Sequence, residues 1–234
     1  MGTTYENREL QKGWKSSVYC WRQNRKPALP FVVTEIVASS AVAKAATSIT
    51  VTGMPAGGID AGNVLLFVDA DEMTYLAEVT TNSTSGTLTV KALAEPIPSG
   101  AKANWPPELL DRTDAEISRT LDTTDTPTFN TGGNKLITTT TSSKSGSFPG
   151  PYLAKNGGYW TAFKAAEDKA PLWFAVMHSP PDQDVADVVE TPFIGKGYVT
   201  DNTTSAAADG FRQGDISVDF SGKPLSDFAI VGAV

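Results

Sequence analysis

The chain carries one cysteine and one histidine, the two residue types that form the nucleophile and the base of many hydrolases. Cys20 lies in an alternating segment, residues 17–21, and His178 follows the apolar run 172–177. Nothing around either residue supports a dyad, and a lone cysteine in a strand pattern is typical of a buried core position. We therefore expect both residues to be structural. With a single histidine, the composition excludes a histidine-rich metal site.

Two acidic clusters are the other candidates for chemistry. Residues 182–187, DQDVAD, begin like a calcium loop, but Asp187 and Phe193 stand where that loop needs a glycine and a glutamate. Asp69, Asp71 and Glu72 lie at a predicted hairpin tip, where carboxylates are usually solvated. The sequence has no phosphate loop, dinucleotide fingerprint or Gly-x-Ser-x-Gly elbow. It therefore predicts a protein that is not an enzyme and that uses no metal and no cofactor.

The formal charge of −7 is unevenly distributed. Residues 1–26 carry six basic and two acidic side chains, a net +4, so the remaining residues carry −11. An acidic body argues against a sequence-independent grip on nucleic acid, which relies on Lys and Arg at the phosphates. The basic N-terminal run is either a solvated edge or a segment that docks on an acidic surface of a neighbouring copy.

Hydropathy gives no indication of a membrane protein. No stretch approaches eighteen uninterrupted apolar residues, and the first residues lack the apolar core of a secretory signal. The sequence therefore predicts a soluble protein that is made in a cytoplasm and has no membrane partner.

The elements that would position these residues are mostly strands. Twenty glycines and 15 prolines, with many Ser, Thr and Asn, separate short alternating runs, which is the pattern of an all-β chain. We predict strands over residues 17–22, 31–38, 48–52, 64–68, 74–80, 87–90, 117–121, 135–142, 172–177, 193–200 and 211–221, with a further strand or docking tail at 228–234.

One helix is predicted over residues 159–169. It follows two glycines and ends before Pro171, and Tyr159, Phe163, Ala166 and Ala170 recur at helical spacing to give one apolar face. A helix of three turns is marginal alone, so we expect it to pack on a sheet.

Two further features bear on surfaces. Residues 122–133 are polar and end in two glycines, which predicts a long, mobile hairpin tip. Among the tryptophans, Trp160 and Trp173 are predicted to lie in the core. Trp105, beside two prolines, is predicted to be a hinge or a subunit contact.

The order of parts over residues 110–225 resembles that of the major tail tube proteins of long-tailed bacteriophages. The resemblance is carried by the helix that opens with Tyr-Trp-Thr-Ala-Phe at 159–163, the strand at 172–177, the Phe-Ile-Gly-Lys-Gly-Tyr-Val segment at 193–199 and a final strand that leads into Gly-Lys-Pro at 222–224. The polar arm at 122–133 is also similar to that family's long hairpin.

The resemblance implies a mainly β fold, a tail-tube-type β-sandwich or barrel with one flanking helix. Residues 39–105 are longer than this plan requires, so we interpret them as a small inserted β module on the outer surface, and assign residues 1–38 and 106–234 to the tail tube domain. The family also implies hexameric rings that stack into a tube, through which the genome leaves the particle. The residues expected to form the arm between subunits and rings are Asp122, Thr123, Asp125, Pro127, Phe129 and Asn130, and those expected to pack the helix and its strand are Tyr159, Trp160, Phe163 and Trp173.

The implied partners are further copies of the chain, a tape measure protein, a tail terminator and distal tail or baseplate proteins. Double-stranded DNA would pass without specific binding along a lumen in which carboxylates outnumber basic residues. The chain would be located in the virion tail and assembled in the bacterial host cytoplasm. Two alternatives remain open: a tail terminator or baseplate ring protein with the same fold, and a carbohydrate-binding or adhesin β module, which predicts exposed tryptophans.

Overall fold

The computed structural model describes residues 17–110, 112, 115–126, 136–177, 188–206, 212–227 and 229–232. Within these residues the chain forms fourteen strands and one helix, so the predicted mainly β fold with a single helix is confirmed. The elements are β1 (Ser17–Trp21), β2 (Thr34–Ala38), β3 (Ser48–Thr52), β4 (Val64–Val68), β5 (Thr74–Glu78), β6 (Thr87–Thr89), β7 (Lys102–Trp105), β8 (Glu116–Thr126), β9 (Leu136–Phe148), α1 (Gly157–Glu167), β10 (Leu172–Met177), β11 (Val188–Thr191), β12 (Phe193–Ala206), β13 (Arg212–Phe220) and β14 (Ala229–Gly232).

The first sheet has six antiparallel strands in the order β1-β10-β12-β13-β9-β8. At its β1 end the backbone of residues 107–109 continues the hydrogen bonding: the Cys20 amide donates to the Pro107 carbonyl at 3.1 Å, and the Leu109 amide donates to the Val18 carbonyl at 2.7 Å. A separate two-stranded sheet is formed by β11 and β14.

The second sheet is built from β2 to β7 in the order β5-β4-β7-β2-β3-β6. It curls until its two ends meet: Val79 and Val90 form a bridge, and the Thr80 amide donates to the Thr89 carbonyl at 2.9 Å. The apolar side chains of these short strands alternate with exposed ones, as in β3, where Ile49 and Val51 are buried. Because side chains alternate between the two faces of a strand, every second side chain of this curled sheet points into a shared interior.

Both faces of the first sheet are covered near β1, β10 and β12. One face, with Phe174 and Val218, packs on α1. The opposite face, with Tyr19 and Ala175, shares a core with the interior of the second sheet. The β10 strand therefore carries buried side chains on both faces, which is why the sequence LWFAVM is apolar without alternation.

Helix α1 begins two residues earlier than the sequence pattern predicts. Asn156 caps it, because its side-chain oxygen accepts a hydrogen bond from the Tyr159 amide at 3.0 Å. Gly157 and Gly158 form the first turn, where a Cβ atom would lie 2.5 Å from the Val64 carbonyl oxygen and 2.4 Å from the Glu108 carbonyl oxygen. Only glycine permits this close approach of the helix to the backbone of two other segments.

The buried face of α1 differs from the predicted one. The buried residues are Gly157, Gly158, Tyr159, Thr161, Ala162 and Ala165. Phe163 and Ala166, which were predicted to belong to the buried face with Tyr159, are only partly buried. Apart from Tyr159 and Thr161, the buried residues of α1 are glycines and alanines, and the two glycines let the helix lie close against the backbone of neighbouring segments.

Several strand boundaries also differ from the sequence prediction. Residues 31–33 precede β2 and are not part of it, and β7 and β11 are strands that the sequence reading missed. The segment predicted to be a mobile tip from residue 122 continues as strand β8 to Thr126, paired with β9 as far as Leu136. Threonine-rich sequence is compatible with this ladder because β-branched residues favour strands. No helix in the described part of the chain is long and apolar enough to cross a membrane.

Candidate assembly surface

One face of the first sheet is polar and exposed in the part that the second sheet does not cover. We define the polar face by the residues that the strand registers place side by side on β12, β13, β9 and β8: Tyr198, Asp219, Ser145 and Ser118 in one row, Asp201, Ser217, Ser147 and Glu116 in the next, and Thr203 beside Asp215 in a third. Directly opposed residues of an antiparallel pair share a face. The rows therefore form one continuous surface across four strands.

The charges on the polar face have one sign. Its carboxylates are those of Glu116, Asp201, Asp215 and Asp219, and the three rows defined above contain no lysine or arginine. The basic residues of β8, β9 and β13, Arg119, Lys144 and Arg212, belong to the opposite face by strand alternation. The polar face is therefore a field of carboxylates and hydroxyls, with Lys196 at its margin above the Trp173 ring at 5.7 Å.

Two basic side chains outside the polar face, Lys144 and Arg112, are held by contacts with neighbouring segments. Lys144 forms an ion pair with Asp227 and lies over the Phe193 ring, with its ammonium group 5.3 Å from the centroid. Arg112 donates to four backbone carbonyls, those of Leu110, Phe148, Gly214 and Pro151, at 2.6 to 3.2 Å. The Arg112 guanidinium thus joins the segment before β8 to the end of β9 and the start of β13, a role that the sequence reading missed.

Strand β8 is the open edge of the first sheet. It pairs with β9 on one side, and no strand of the described residues pairs with its other side. Of the predicted arm residues, Asp122, Thr123 and Asp125 lie in β8, where the register shifts between Asp122 and Thr123. The other three, Pro127, Phe129 and Asn130, lie outside the described residues. An unpaired strand edge is a template for pairing with another chain.

The four predicted packing residues do not form one cluster. Tyr159 is 1% exposed and its hydroxyl donates to the Asn202 side-chain oxygen at 2.9 Å. Trp160 and Phe163 are half-buried on α1, with ring centroids 5.4 Å apart. Trp173 lies across the sheet from the helix, half-buried, and its indole donates to the Gln23 carbonyl at 3.1 Å. The sheet separates Trp173 from the three helix residues.

Trp105 corrects one prediction. It is 4% exposed and belongs to the core that the second sheet shares with the first, so it is neither an exposed hinge nor a free contact residue. Its position at the end of β7, paired with Thr34, explains the burial. The prolines that follow it made the strand end look like a linker in sequence.

The candidate chemical residues are structural where the structure describes them. The Cys20 thiol is buried and donates to the Gly158 carbonyl at 3.2 Å, and burial raises its pKa well above the ordinary range. The Asp69 carboxylate accepts hydrogen bonds from the Tyr75 hydroxyl and from the amides of Asp71 and Met73. The Tyr75 hydrogen bond is the main cause that lowers the pKa of Asp69.

Metal and histidine chemistry finds no support in the described part of the chain. The residues that the structure describes include no group of three His, Cys, Asp or Glu side chains able to hold a metal ion. His178 and the acidic run 182–187 lie outside the described residues.

No family model and no curated protein sequence matches the chain. The solved structures that match parts of it include two of gene transfer agent particles. The tail of an empty gene transfer agent particle, refined helically with C6 symmetry, is 17% identical, with 51% of this chain and 82% of that chain covered and a TM-score of 0.41. The virion of a native gene transfer agent particle is 14% identical, with 71% and 95% covered and a TM-score of 0.42. The first is described as a tail and the second as a virion.

Proposed function

We propose that this chain is the tail tube subunit of a long-tailed phage or phage-like particle. It would form rings, six copies to a ring, that stack into a hollow tube in the virion tail. The observation that carries the proposal is the combination in one sheet of an open β8 edge and a polar face of carboxylates and hydroxyls. An enzyme or a sugar-binding module needs neither.

The open edge supports ring formation. The first sheet is open at β8 and covered at β1, so a neighbouring copy can add to it at the β8 end only, which gives a head-to-tail contact. Head-to-tail contacts close into rings when the rotation between copies permits. Pairing β8 with a neighbour would satisfy the backbone groups that a lone subunit leaves exposed.

The polar face supports a conduit. Duplex DNA carries about one negative charge per 1.7 Å of its axis, so basic walls would hold it and carboxylate walls would let it slide. With the polar face turned inward, the lumen would carry Glu116, Asp201, Asp215 and Asp219 from every copy. Residues 39–105, the proposed inserted module, pack on this same face nearer β1, so only the part of the face beyond them would line the lumen. The proposed partners are the tape measure protein inside the tube and the tail terminator and distal tail or baseplate proteins at its ends.

Charge reversal tests the conduit. The double variant Asp215→Lys with Asp219→Lys should turn assembled tubes into salt-sensitive binders of duplex DNA, whereas wild-type tubes should not retain it. The matched control is Asp71→Lys with Glu72→Lys, the same charge change on the exposed hairpin between β4 and β5. Fluorescence anisotropy of a labelled duplex at rising salt measures the effect. Equal retention by both variants would contradict an inward-facing polar face.

A further inference from the structure

The chain between β1 and β2 presents exposed apolar side chains. We name residues 27–33, Pro-Ala-Leu-Pro-Phe-Val-Val, the strap. Leu29 is 53% exposed and Val32 is 65% exposed, which makes them two of the four large hydrophobic residues exposed in the described part of the chain. Large apolar side chains held in water at one site are typical of an interaction surface.

The strap is fixed in position although its tip is exposed. The ring of Phe31, between the exposed residues, lies 5.5 Å from the Tyr19 ring and 5.8 Å from the Trp21 ring, measured between centroids. Tyr19 and Trp21 belong to β1 and face the same way as the polar face. The strap therefore covers the β1 end of the sheet, and Leu29 and Val32 project from an anchored segment.

The backbone of the strap is also unused. The amides of Leu29, Phe31 and Val32 donate no hydrogen bond to any residue that the structure describes. A segment with free amides and exposed apolar side chains can accept a strand from another chain, with main-chain bonds giving affinity and side chains giving specificity.

The β8 edge, at the opposite end of the same sheet, is complementary to the strap. Strand β8 has its open edge there, and its charged residues are Glu116, Arg119, Asp122 and Asp125, three acids and one base. Immediately before the strap, Arg25 and Lys26 are exposed and basic. The two ends of the sheet are thus complementary in charge as well as in unpaired backbone.

We propose that the strap receives the β8 edge of a second copy of this chain. The inference rests on the proposed function and deepens it, because it names the surface on which the neighbouring subunit docks. Leu29 and Val32 would be buried against β8, and Arg25 and Lys26 would lie beside its carboxylates. Since the strap and β8 are different surfaces, the contact is head-to-tail and suits a ring.

Removal of the apolar contact tests the proposal. The variant Leu29→Asp with Val32→Asp should raise the protein concentration needed for assembly by about tenfold or more, because full burial of a single Val or Leu side chain is already worth about that factor. The matched control is Met73→Asp, a residue 56% exposed on the hairpin between β4 and β5, which should assemble as wild type does. Cooperative thermal unfolding of each variant checks that it is folded.

Cross-linking tests the partner directly. A chain with Val32→Cys is mixed with chains that carry Glu116→Cys, Ser118→Cys or Thr120→Cys, and a short bis-maleimide is added. Cys20 is buried and should not react. The proposal expects a mixed dimer from at least one β8 position and none when Met73→Cys replaces Val32→Cys. Assembly by wild-type protein with no such dimer, and with Leu29→Asp and Val32→Asp without effect, would overturn the proposal while the tube function stands.

Failure of the proposed function would look different. Wild-type protein that stays monomeric at every concentration would overturn both the tube and the strap contact. A strap that cross-links to an added glycan-bearing or unrelated protein, and not to β8, would overturn the strap contact alone.

Discussion

The backbone amide of Val64 donates a hydrogen bond to the Thr161 hydroxyl oxygen at 2.8 Å. Val64 is the first residue of β4 in the second sheet, and Thr161 lies in α1, fully buried. The same hydroxyl donates to the Gly157 carbonyl at 2.9 Å, so the hydroxyl group is used both as acceptor and as donor. This contact, with the Lys164–Glu78 ion pair at 2.6 Å, fastens the second sheet to the helix that covers the first.

Replacement of Thr161 by Val should lower the free energy of unfolding by about 1–3 kcal/mol, because the buried Val64 amide then has no acceptor. Thr161→Ser keeps the hydroxyl and should lose about 1 kcal/mol or less through its missing methyl group. Urea unfolding followed by tryptophan fluorescence measures both. A smaller loss for Val than for Ser would show that packing, and not the hydrogen bond, holds the two parts together.

Replacement of Arg112 by Lys should be more costly. The guanidinium donates to four carbonyls, and an ammonium group cannot reach the same set, so we expect a loss of about 2–4 kcal/mol in the free energy of unfolding. The control is Arg212→Lys at an exposed arginine of β13, which should change the stability by about 0.5 kcal/mol or less. Chemical denaturation that finds the two variants equally stable would contradict this role.

The turn after β4 should be sensitive to acid. The pKa of Asp69 is lowered from its ordinary value of 3.8. The stability that its carboxylate contributes to the fold is therefore fully present above that pH and is lost as the pH falls through the folded-state pKa. Tyr75→Phe removes the main cause and should raise the pKa toward the ordinary value. A carbon-detected NMR titration of the Asp69 carboxyl measures this, with Tyr198→Phe as the control that leaves it unchanged. An inflection that stays in place in Tyr75→Phe would refute the assignment.

Deletion of residues 123–131 should separate folding from assembly. It shortens the β8 edge and leaves every tryptophan and both cores in place, so tryptophan fluorescence and a cooperative melt should report a folded monomer. Polymerisation should be lost, because the shortened edge cannot pair over its full length with a neighbour. Sedimentation velocity measures the outcome. Normal tubes from the deletion variant would show that this part of β8 has no role in assembly.

Sequence patterns predicted the elements whose residues follow one simple rule. The bounds of β3, β4 and β10 match the predicted ones because apolar or alternating runs there are bounded by turn residues. The start of α1 was missed because Gly157 and Gly158 look like a linker, although Asn156 before them is a favoured cap. The packing that requires glycine, the backbone of β4 and of Glu108, is distant in sequence and cannot be seen from the helix alone.

The polar face was likewise predictable within a single strand but not across strands. Alternation in β13 predicts that Ser217 and Asp219 share a face, and the structure confirms it. The carboxylates share one surface because of the register across β12, β13, β9 and β8. That register depends on pairing between strands that are far apart in the chain, which the pattern of a single strand does not reveal. The strap was not predicted because residues 31–33 look like the start of a strand, whereas in the structure β2 begins at Thr34 and Val32 is exposed.

The central claim is that this chain works as a hollow polymer of itself. Negative-stain electron microscopy of the purified protein over a range of concentrations tests it most directly. We expect hollow tubes of constant width built from stacked rings. Single rings that never stack would assign the chain to a terminator or baseplate position, and particles that remain single subunits at every concentration would contradict the claim.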